Sequence, residues 1–392
     1  MPSLLSLFSG AGGLDLGLHQ AGYSHTGVVE LGARQRETLR RNTDWPLLGT
    51  GDVIEFARTV TPKAVGLKVG ELDLLAGGPP CQPFSMAAQW AAGGRRGMLD
   101  NRAATVISTL DLVRKFLPRA VLFENVVGFV QGAGSAIDFL RDELARISLE
   151  TGANYNLEFK IVNAADFGVP QNRRRAIVVA LRDGFVFEWP ESSNPLAKVT
   201  AWDALSNVSV KNKPIGRGKW VDLLPSIPPG HNYLWLTERG GGPEIFGYRT
   251  KFWNFLLKLS PDLPSWTLSA SPGPSTGPFH WENRPLSIEE QLKLQTFPDG
   301  WLVSGSFRDQ TLQAGNATPV ALARVFGDAI ARSLGYEAIG GGLYPAPRAV
   351  EGLKHHLELS SVPEKYLHLV GGKAAHAGKG KGPGALSRNL RP

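Results

Sequence analysis

The sequence predicts an α/β fold built around a mostly parallel β-sheet. Short apolar runs alternate with segments of helical spacing from residue 4 to residue 181, and this alternation is typical of βαβ units. Two of the predicted strands close on an acidic residue, and another leads into a Gly/Pro-rich loop. Ligands of such sheets bind at the carboxyl ends of the strands, so we expect a functional site there.

The elements of this fold follow from the spacing of apolar residues. Predicted strands lie at residues 4–8, 27–30, 72–76, 120–124, 156–162 and 176–181. Predicted helices lie at residues 14–21, 33–41, 103–116, 287–294 and 319–334, with a turn at residues 51–53. Residues 186–280 are rich in Pro, Gly, Ser, Asn and Trp and have no clear period. This stretch predicts an irregular second domain or a large insertion.

The composition is typical of a globular protein, with 42% hydrophobic and 20% charged residues in a chain of 392. A single cysteine excludes an internal disulfide and favours the reducing cytoplasm. From the sequence given we expect neither a signal peptide nor a membrane-spanning segment. The net charge is +7, of which +4 lies in residues 351–392 with seven Lys/Arg and three acidic residues. This charge is compatible with a polyanionic partner without requiring one, and the composition after Gly371 predicts a disordered basic tail.

The single cysteine, Cys81, stands in an unusual frame for a structural thiol. Residues 77–85 read GGPPCQPFS and follow an apolar run that is predicted to be a buried strand. A lone buried cysteine usually packs among aliphatic residues on a helix or strand, as a small hydrophobic residue. A thiol on a stiff loop at a strand end is a candidate nucleophile, with an inert thiol as the alternative.

A glycine turn and two acidic residues predict a nucleoside pocket. Residues 8–13 (FSGAGG) join a strand to a helix, where glycines let a ligand approach the backbone closely. Glu30 ends the next predicted strand and could accept hydrogen bonds from ribose hydroxyls. Asp52 could reach an adenine amino group. The spacing differs from the full dinucleotide fingerprint, so NAD fits poorly; a glycine turn needed only for helix packing is the alternative.

Two polar clusters flank later strands. Residues 124–126 (ENV) close a strand beside the cysteine loop, where a carboxyl group could donate a proton; an ordinary solvated acid is the alternative. Residues 171–175 (QNRRR) precede an apolar strand, where arginines could hold a phosphate or a carbonyl oxygen; a solvated basic turn is the alternative. Strand alternation predicts that Arg173 and Arg175 share a face while Arg174 points away.

The order of these motifs resembles the signature set of the DNA (cytosine-5)-methyltransferases, the family of the bacterial Dcm-like enzymes. Two later segments agree: residues 284–299 contain RPLSIEE and LQTFPD, similar to the penultimate block, and residues 313–319 (QAGNATP) are similar to the last block. The resemblance covers roughly residues 3–183 and 283–333. It implies a Rossmann-like S-adenosylmethionine-dependent methyltransferase fold with a smaller, irregular target-recognition domain.

The resemblance also implies a division of the chain into domains. Residues 1–185 would form the first part of the catalytic and cofactor-binding domain, and residues 186–280 the target-recognition domain. Residues 281–335 would return to the catalytic domain, with the helix at 319–334 coming back to the first strand. Residues 336–392 would be a C-terminal extension that contains the disordered basic tail. DNA would lie in the cleft between the two domains.

The resemblance implies a mechanism through a flipped cytosine. Cys81 would attack C6 of the base, and Glu124 would hydrogen-bond and protonate N3. Arg175 would contact O2, and Arg173 would support the active-site loop. S-adenosylmethionine would supply the methyl group. Because the target atom is hidden in a duplex, the base must flip out, at a cost of a few kcal/mol, and the loop after Cys81 (82–101) would close over the DNA.

The remaining site residues are also implied by the resemblance. The cofactor contacts are Phe8, Gly10, Ala11, Gly12, Glu30, Leu31, Asp52, Val53, Pro79 and Asn316. The DNA contacts are Ser85, Arg95, Arg96 and Thr267, and no metal is expected. Thr267 belongs to the Thr-Leu element in residues 264–269 (PSWTLS). Two positions depart from the family pattern: Leu31 stands where an aromatic or bulky residue is frequent, and Thr318 where valine is more frequent.

Three rival functions are weighed against this one, and the partners follow from the family. A tRNA or RNA cytosine-5 methyltransferase would carry a second cysteine, which this chain lacks. An inactive DNA-binding relative would typically lose the nucleophile or the glutamate. A glycine-turn oxidoreductase would leave Cys81 unexplained. We expect a monomer that binds double-stranded DNA, with no membrane association, and with cognate restriction or phage-defence proteins as candidate partners.

Overall fold

The computed structural model describes residues 1–80, 104–132, 135–192, 198–249, 252–337 and 358–372. The predicted nucleophile Cys81 lies outside these residues. The loop 82–101, which contains the predicted DNA contacts Ser85, Arg95 and Arg96, also lies outside them. Most of the predicted basic tail lies outside them as well. The roles assigned to them therefore stay predictions.

A six-stranded sheet lies at the centre of the molecule. The strands of the first half of the chain are β1 (Ser3–Leu7), β2 (Ser24–Val29), β3 (Leu74–Gly77), β4 (Ala120–Asn125), β5 (Tyr155–Asn163), β6 (Gln171–Asn172) and β7 (Arg174–Arg182). All except β6 belong to this sheet, in the order β2-β1-β3-β4-β7-β5. Strands β1 to β4 run parallel, so the predicted mostly parallel sheet is confirmed.

The far edge of the sheet differs from the simple alternation that the sequence suggests. Strand β7 runs antiparallel to both of its neighbours, β4 and β5. Only residues 164–173 connect β5 to β7, whereas a parallel crossover needs a dozen residues or more. As a consequence, the first residues of β7 lie at the same edge of the sheet as the last residues of the parallel strands.

Helices cover both faces of the sheet. They are α1 (Gly13–Gln20), α2 (Ala33–Asn42), α3 (Val53–Thr59), α4 (Ala104–Phe116), α5 (Ile137–Thr151), α6 (Ala201–Leu205), α7 (Ile288–Leu294), α8 (Phe307–Asn316) and α9 (Val320–Ser333). Side chains of α3, α4 and α5 form one core with the sheet, and those of α1 and α9 form another on the opposite face. Both faces of the central strands are therefore buried, which explains their continuous apolar runs.

Helices α3, α5, α6 and α8 were not among the helices expected from the sequence. Residues 51–53 were predicted as a turn, but Asp52 instead caps α3, and its Oδ1 accepts a hydrogen bond from the backbone N–H of Ile54 at 2.8 Å. Helix α8 has little apolar periodicity. Its beginning is marked by a capping box, in which the side chains and backbone N–H groups of Ser306 and Asp309 bond reciprocally. This pairing is a sequence-level start signal.

The irregular region was predicted at residues 186–280. Residues 198–249 and 252–280 form such a region with a core of its own, whereas Phe187 and Trp189 pack in the core of α1 and α9. The regular elements of the irregular region are α6, two short 3₁₀ turns (Val221–Ser226 and Tyr233–Leu236), β8 (Ser265–Trp266) and β9 (Phe279–His280); β9 pairs with β10 (Arg284–Pro285) and β6 with β8. Residues 358–372, assigned only to a C-terminal extension, pack into this core through Val362 and Tyr366. In the described part of the chain, no helix is long and apolar enough to cross a membrane.

Candidate active site

A cavity of about 330 Å³ lies at the carboxyl edge of the parallel strands. Its walls come from the segments that follow β1, β2 and β3, from the end of β4, from the start of β7, and from the end of α8. The lining residues are Phe8, Ser9, Gly10, Ala11, Leu14, Glu30, Gln35, Gly78, Pro79, Pro80, Glu124, Asn125, Val126, Arg173, Arg175, Gln313, Asn316, Ala317 and Thr318. The fold thus gathers distant motifs at one edge, as expected for an open α/β sheet.

The glycine turn after β1 brings backbone, rather than side chains, to the cavity wall. Phe8, Gly10 and Gly12 have φ values of 58°, 56° and 87°, a left-handed region that glycine enters without steric cost. Gly13 is needed for a close approach, because a Cβ there would lie 2.1 Å from the carbonyl oxygen of Thr318. The turn therefore packs directly on the chain that leads into α9.

Glu30 is fixed at the wall by two backbone donors. Gly10 N–H donates to its Oε2 at 2.8 Å, and Gly32 N–H donates to its Oε1 at 2.7 Å. Burial raises the pKa of the Glu30 carboxyl group, although these two hydrogen bonds oppose the change. Each carboxylate oxygen can accept more than one hydrogen bond, so the group can still receive hydroxyl donors from a ligand.

The predicted cofactor residues divide into two groups. Phe8, Gly10, Ala11, Glu30, Pro79 and Asn316 line the cavity. The other four lie beside it: Gly12 precedes α1, Leu31 is 67% exposed, Asp52 caps α3, and Val53 is buried in the core. Gln35 and Gln313 also line the cavity and were missed. Gln313 opens the QAGNATP motif, which could have pointed to it, whereas Gln35 belongs to no motif and is revealed only by the packing of α2.

Glu124 and Arg175 form an ion pair at the cavity. Arg175 Nε lies 2.9 Å from Glu124 Oε1, and both side chains are largely buried. Glu124 ends β4 and Arg175 begins the antiparallel β7, so the reversed strand direction is what brings them together. The guanidinium compensates for the charge of a carboxylate that would be costly to bury alone.

Arg173 is almost completely buried, although it too lines the cavity. Its Nη2 donates to the carbonyl oxygens of Gly315 and Ala317, both at 3.0 Å. Arg174, between the two buried arginines, is exposed, which agrees with the predicted alternation. Arg173 therefore connects the start of β7 to the last sequence motif.

The loop that leads to Cys81 is held beside Glu124. Asn125 Nδ2 donates to the carbonyl oxygen of Pro79 at 2.9 Å, and Pro80 lines the cavity. A Cβ on Gly78 would lie 3.3 Å from the carbonyl oxygen of Glu124, so the two segments run in close contact. The chain therefore enters the Cys81 loop at the cavity, next to the Glu124–Arg175 pair.

Comparison with known proteins identifies the family. The model of the C-5 cytosine-specific DNA methylases matches residues 3–332. The chain belongs to this family. It is a DNA (cytosine-5)-methyltransferase by class, and it uses S-adenosylmethionine as cofactor.

Individual relatives agree along nearly the whole chain. The Type II methyltransferase M.SacI of Streptomyces achromogenes is 33% identical over 90% of this chain and 98% of its own length. M.Eco47II of Escherichia coli is 31% identical over 85% of this chain and 79% of its own length. Among solved structures, a prophage-encoded E. coli protein described as a DNA modification methyltransferase has a TM-score of 0.60. It is 20% identical and covers 86% of this chain and 100% of its own. That likeness supports the methyltransferase fold.

The cavity of the methyltransferase suits a nucleoside-containing cofactor. Its volume of about 330 Å³ falls in the range of about 300–1,000 Å³ that is usual for small-molecule sites. The Glu30 carboxylate offers acceptors for ribose hydroxyls, and the left-handed turn at Gly10 leaves backbone exposed to the ligand. The residues present therefore fit S-adenosylmethionine.

Thr267, a predicted DNA contact, connects the irregular region to the catalytic core. Its Oγ1 donates to the carbonyl oxygen of Asn172 at 2.7 Å. The adjacent strand β8 pairs in parallel with β6, with Trp266 opposite Asn172. This contact anchors the region immediately before the site arginines, whereas a DNA contact by Thr267 stays a prediction.

Proposed function

We propose that this methyltransferase methylates C5 of a flipped cytosine in a specific short sequence of duplex DNA. The reaction would proceed through a covalent bond between Cys81 and C6 of the base. The observation that carries the proposal is the shared cavity: the Glu124–Arg175 pair lies in the same cavity as Glu30 and as Pro80, the residue before Cys81. A base and a nucleoside cofactor could therefore meet at one edge of the sheet.

The chemistry requires C5 of cytosine to become nucleophilic. The Cys81 thiolate adds to C6, and Glu124 protonates N3 to take up the charge that develops on the ring. C5 then behaves as an enamine carbon and accepts the methyl group that S-adenosylmethionine supplies. Loss of the C5 proton to a base, expulsion of the Cys81 thiolate and return of the N3 proton to Glu124 restore the aromatic ring and free the enzyme.

The surrounding residues position these groups. Arg175 holds the Glu124 carboxyl group at the cavity and would contact O2 of the base with its guanidinium. Asn125 fixes the backbone at Pro79, from which the Cys81 loop departs. Arg173 holds the loop at Gly315 and Ala317, next to the predicted cofactor contact Asn316. Cofactor and base would thus be bound by one hydrogen-bonded frame.

We place the enzyme in a restriction-modification system or in related phage defence. The supporting observation is that its relatives M.SacI and M.Eco47II are Type II methyltransferases. The predicted target-recognition region, residues 186–280, would read the DNA sequence. The supporting observation is that its described part has a core around Leu223 and Leu256 and is joined to the active-site edge by the pairing of β8 with β6.

Base-resolution mapping of 5-methylcytosine tests this proposal directly. Plasmid DNA is incubated with the purified enzyme and S-adenosylmethionine, and methylation at one recurring short sequence is expected. Cys81→Ser is the matched control: it should abolish methylation and leave cofactor binding nearly intact, since the change removes only the nucleophilic sulfur. Retained turnover by this variant would rule out the adduct. Methylation of RNA in place of DNA would rule out duplex DNA as the substrate.

A further inference from the structure

The segment at residues 358–372 lies beyond the part of the chain that matches the family, which ends at residue 332. It nevertheless packs on the irregular region. Val362 and Tyr366 are buried in the same core as Leu223, Leu224 and Leu256. We call residues 358–372 the C-terminal clasp.

Polar contacts fix the clasp in one position. The Tyr366 hydroxyl lies 2.7 Å from the carbonyl oxygen of Lys219 and 2.6 Å from Asp222 Oδ1. Lys365, the preceding residue, forms an ion pair with the same Asp222 side chain. Tyr366 thus combines a buried ring with a bonded hydroxyl group, which is the usual way in which a buried tyrosine orients a contact.

Backbone bonds extend these contacts to both ends of the clasp. Near its beginning, Ser360 N–H donates to the carbonyl oxygen of Pro225, and Ser226 Oγ donates to that of Ser361. At its end, Gly371 N–H donates to the carbonyl oxygen of Glu244. The clasp therefore spans two separate segments of the irregular region, the 3₁₀ turn around residues 219–226 and the loop at residue 244.

We propose that the C-terminal clasp is a working part of the DNA-recognition region, with Tyr366 as its main positioning residue. This inference rests on the proposed function, which assigns DNA reading to residues 186–280. That region has few regular elements, so the positions of its loops depend on side-chain packing rather than on long hydrogen-bonded strands or helices. The clasp sets the relative positions of two such segments and thereby affects DNA binding.

A role of the clasp in DNA recognition and a general role in stability predict different effects on the use of DNA and of S-adenosylmethionine. The cofactor cavity is lined by residues of the catalytic core, whereas the clasp contacts lie at residues 219–226 and 244. Loss of the clasp should therefore weaken the use of DNA and leave the use of S-adenosylmethionine unchanged.

Steady-state kinetics with three variants test this prediction. Tyr366→Ala removes ring and hydroxyl, and the KM for DNA should rise about tenfold, as for the loss of a buried aromatic anchor. Tyr366→Phe keeps the ring, and a rise of about threefold is expected from the lost hydrogen bond. The KM for S-adenosylmethionine should stay within about twofold of wild type in both. Leu367→Ala is the control, because its side chain is half exposed and lies outside the core.

Several results would overturn the inference. An unchanged KM for DNA in Tyr366→Ala, or an equal rise in the KM of both substrates, contradicts a role in recognition. If Tyr366→Ala fails to fold, Tyr366→Phe decides by the same criterion. Absence of any DNA methylation by the wild-type enzyme contradicts the proposed function itself. In that case, amide exchange at residues 221–227 still tests the packing: faster exchange in Tyr366→Phe than in Leu367→Ala supports it, and equal rates refute it.

Discussion

At the scale of single residues, Arg173 shows how an arginine of the candidate site can be engaged by the protein's own backbone. Its guanidinium is buried and donates to the carbonyl groups of Gly315, in the last turn of α8, and of Ala317, which follows the helix. Three adjacent arginines look equivalent in the sequence. Burial separates them into a loop support (Arg173), an exposed residue (Arg174) and the partner of Glu124 (Arg175).

Arg173→Ala should weaken cofactor binding and lower stability, whereas Arg174→Ala should do neither. The first change removes the Arg173 donor from the carbonyl oxygens of Gly315 and Ala317, of which Ala317 keeps Gln295 Nε2 as a donor at 3.2 Å. The loss of these buried bonds should cost about 1–3 kcal/mol and loosen the chain that lines the cavity. The second removes an exposed side chain, with an effect within about 0.5 kcal/mol. Urea denaturation and calorimetric titration with S-adenosylmethionine measure both effects. Equal behaviour of the two variants would contradict this assignment.

Glu30 gives a prediction for the effect of pH on the cofactor. Burial raises the pKa of its carboxyl group above the usual 4.5, so protonation begins at a higher pH than for an exposed glutamate. The protonated form accepts hydrogen bonds poorly. The affinity for S-adenosylmethionine should therefore fall as the pH decreases through this raised pKa.

Calorimetric titration across the acid range measures this fall, and Glu30→Gln supplies the comparison. The variant has a neutral amide at every pH, so it should bind about tenfold or more weakly than wild type at neutral pH, as expected for loss of a charged acceptor. Its affinity should lack the acid-range decrease that is due to Glu30. If the affinity for S-adenosylmethionine fell with pH in the same way in both proteins, the fall would not be due to Glu30.

At the scale of elements, the irregular region depends on a buried lysine. Lys258 Nζ donates to the carbonyl oxygens of Leu224 and Ile227, at 3.1 and 2.8 Å, and the residue is 2% exposed. Burial lowers the pKa of this amine from 10.5 to about 8. These bonds hold the same 3₁₀ turn that the C-terminal clasp contacts through Ser360 and Tyr366.

Because the pKa of Lys258 is lowered in the folded protein, the free energy of unfolding should increase with pH. Between about pH 8 and 10.5 the unfolded chain keeps the proton on Lys258 while the folded protein loses it, so stability rises with pH in this window. The rise is at most about 3 kcal/mol, and no change from this group is expected below the window. In Lys258→Met this contribution should vanish. The free energy of unfolding of wild type should therefore rise relative to that of Lys258→Met as the pH increases through this window. Denaturant unfolding at several pH values measures it; a constant difference contradicts the prediction.

The elements also show where reasoning from the sequence succeeds and where it ends. Central strands were placed within a few residues, because buried strands leave continuous apolar runs such as that of β4. The antiparallel direction of β7 was missed, since periodicity carries no information on strand direction. The clasp was missed as well, because its core contact rests on two residues, Val362 and Tyr366, in a mostly exposed segment.

At the scale of the whole molecule, the beginning and the end of the family match are packed together. Helix α1 and helix α9 share one core with β1, as the predicted return of the 319–334 helix requires. The same contact places the loop at residues 316–318 over the glycine turn, where both line the cofactor cavity. The cavity is therefore complete only when the last part of the catalytic domain has docked on the first.

Gly17→Ala should disturb this docking. A Cβ at this position would lie 2.4 Å from the carbonyl oxygen of Val320 and 2.7 Å from the backbone nitrogen of Arg324. Backbone atoms cannot rotate away as a side chain can, so α9 must shift, at a cost of about 1–3 kcal/mol or more. Urea denaturation should show this loss, and titration should show weaker binding of S-adenosylmethionine, because the shifted helix carries the 316–318 loop with it. Gln20→Ala, an exposed change on the same helix, should leave both measurements unchanged. If Gly17→Ala lowered stability but kept full cofactor affinity, the loop would hold its position without α9, and the cavity would not depend on the docking of the two ends.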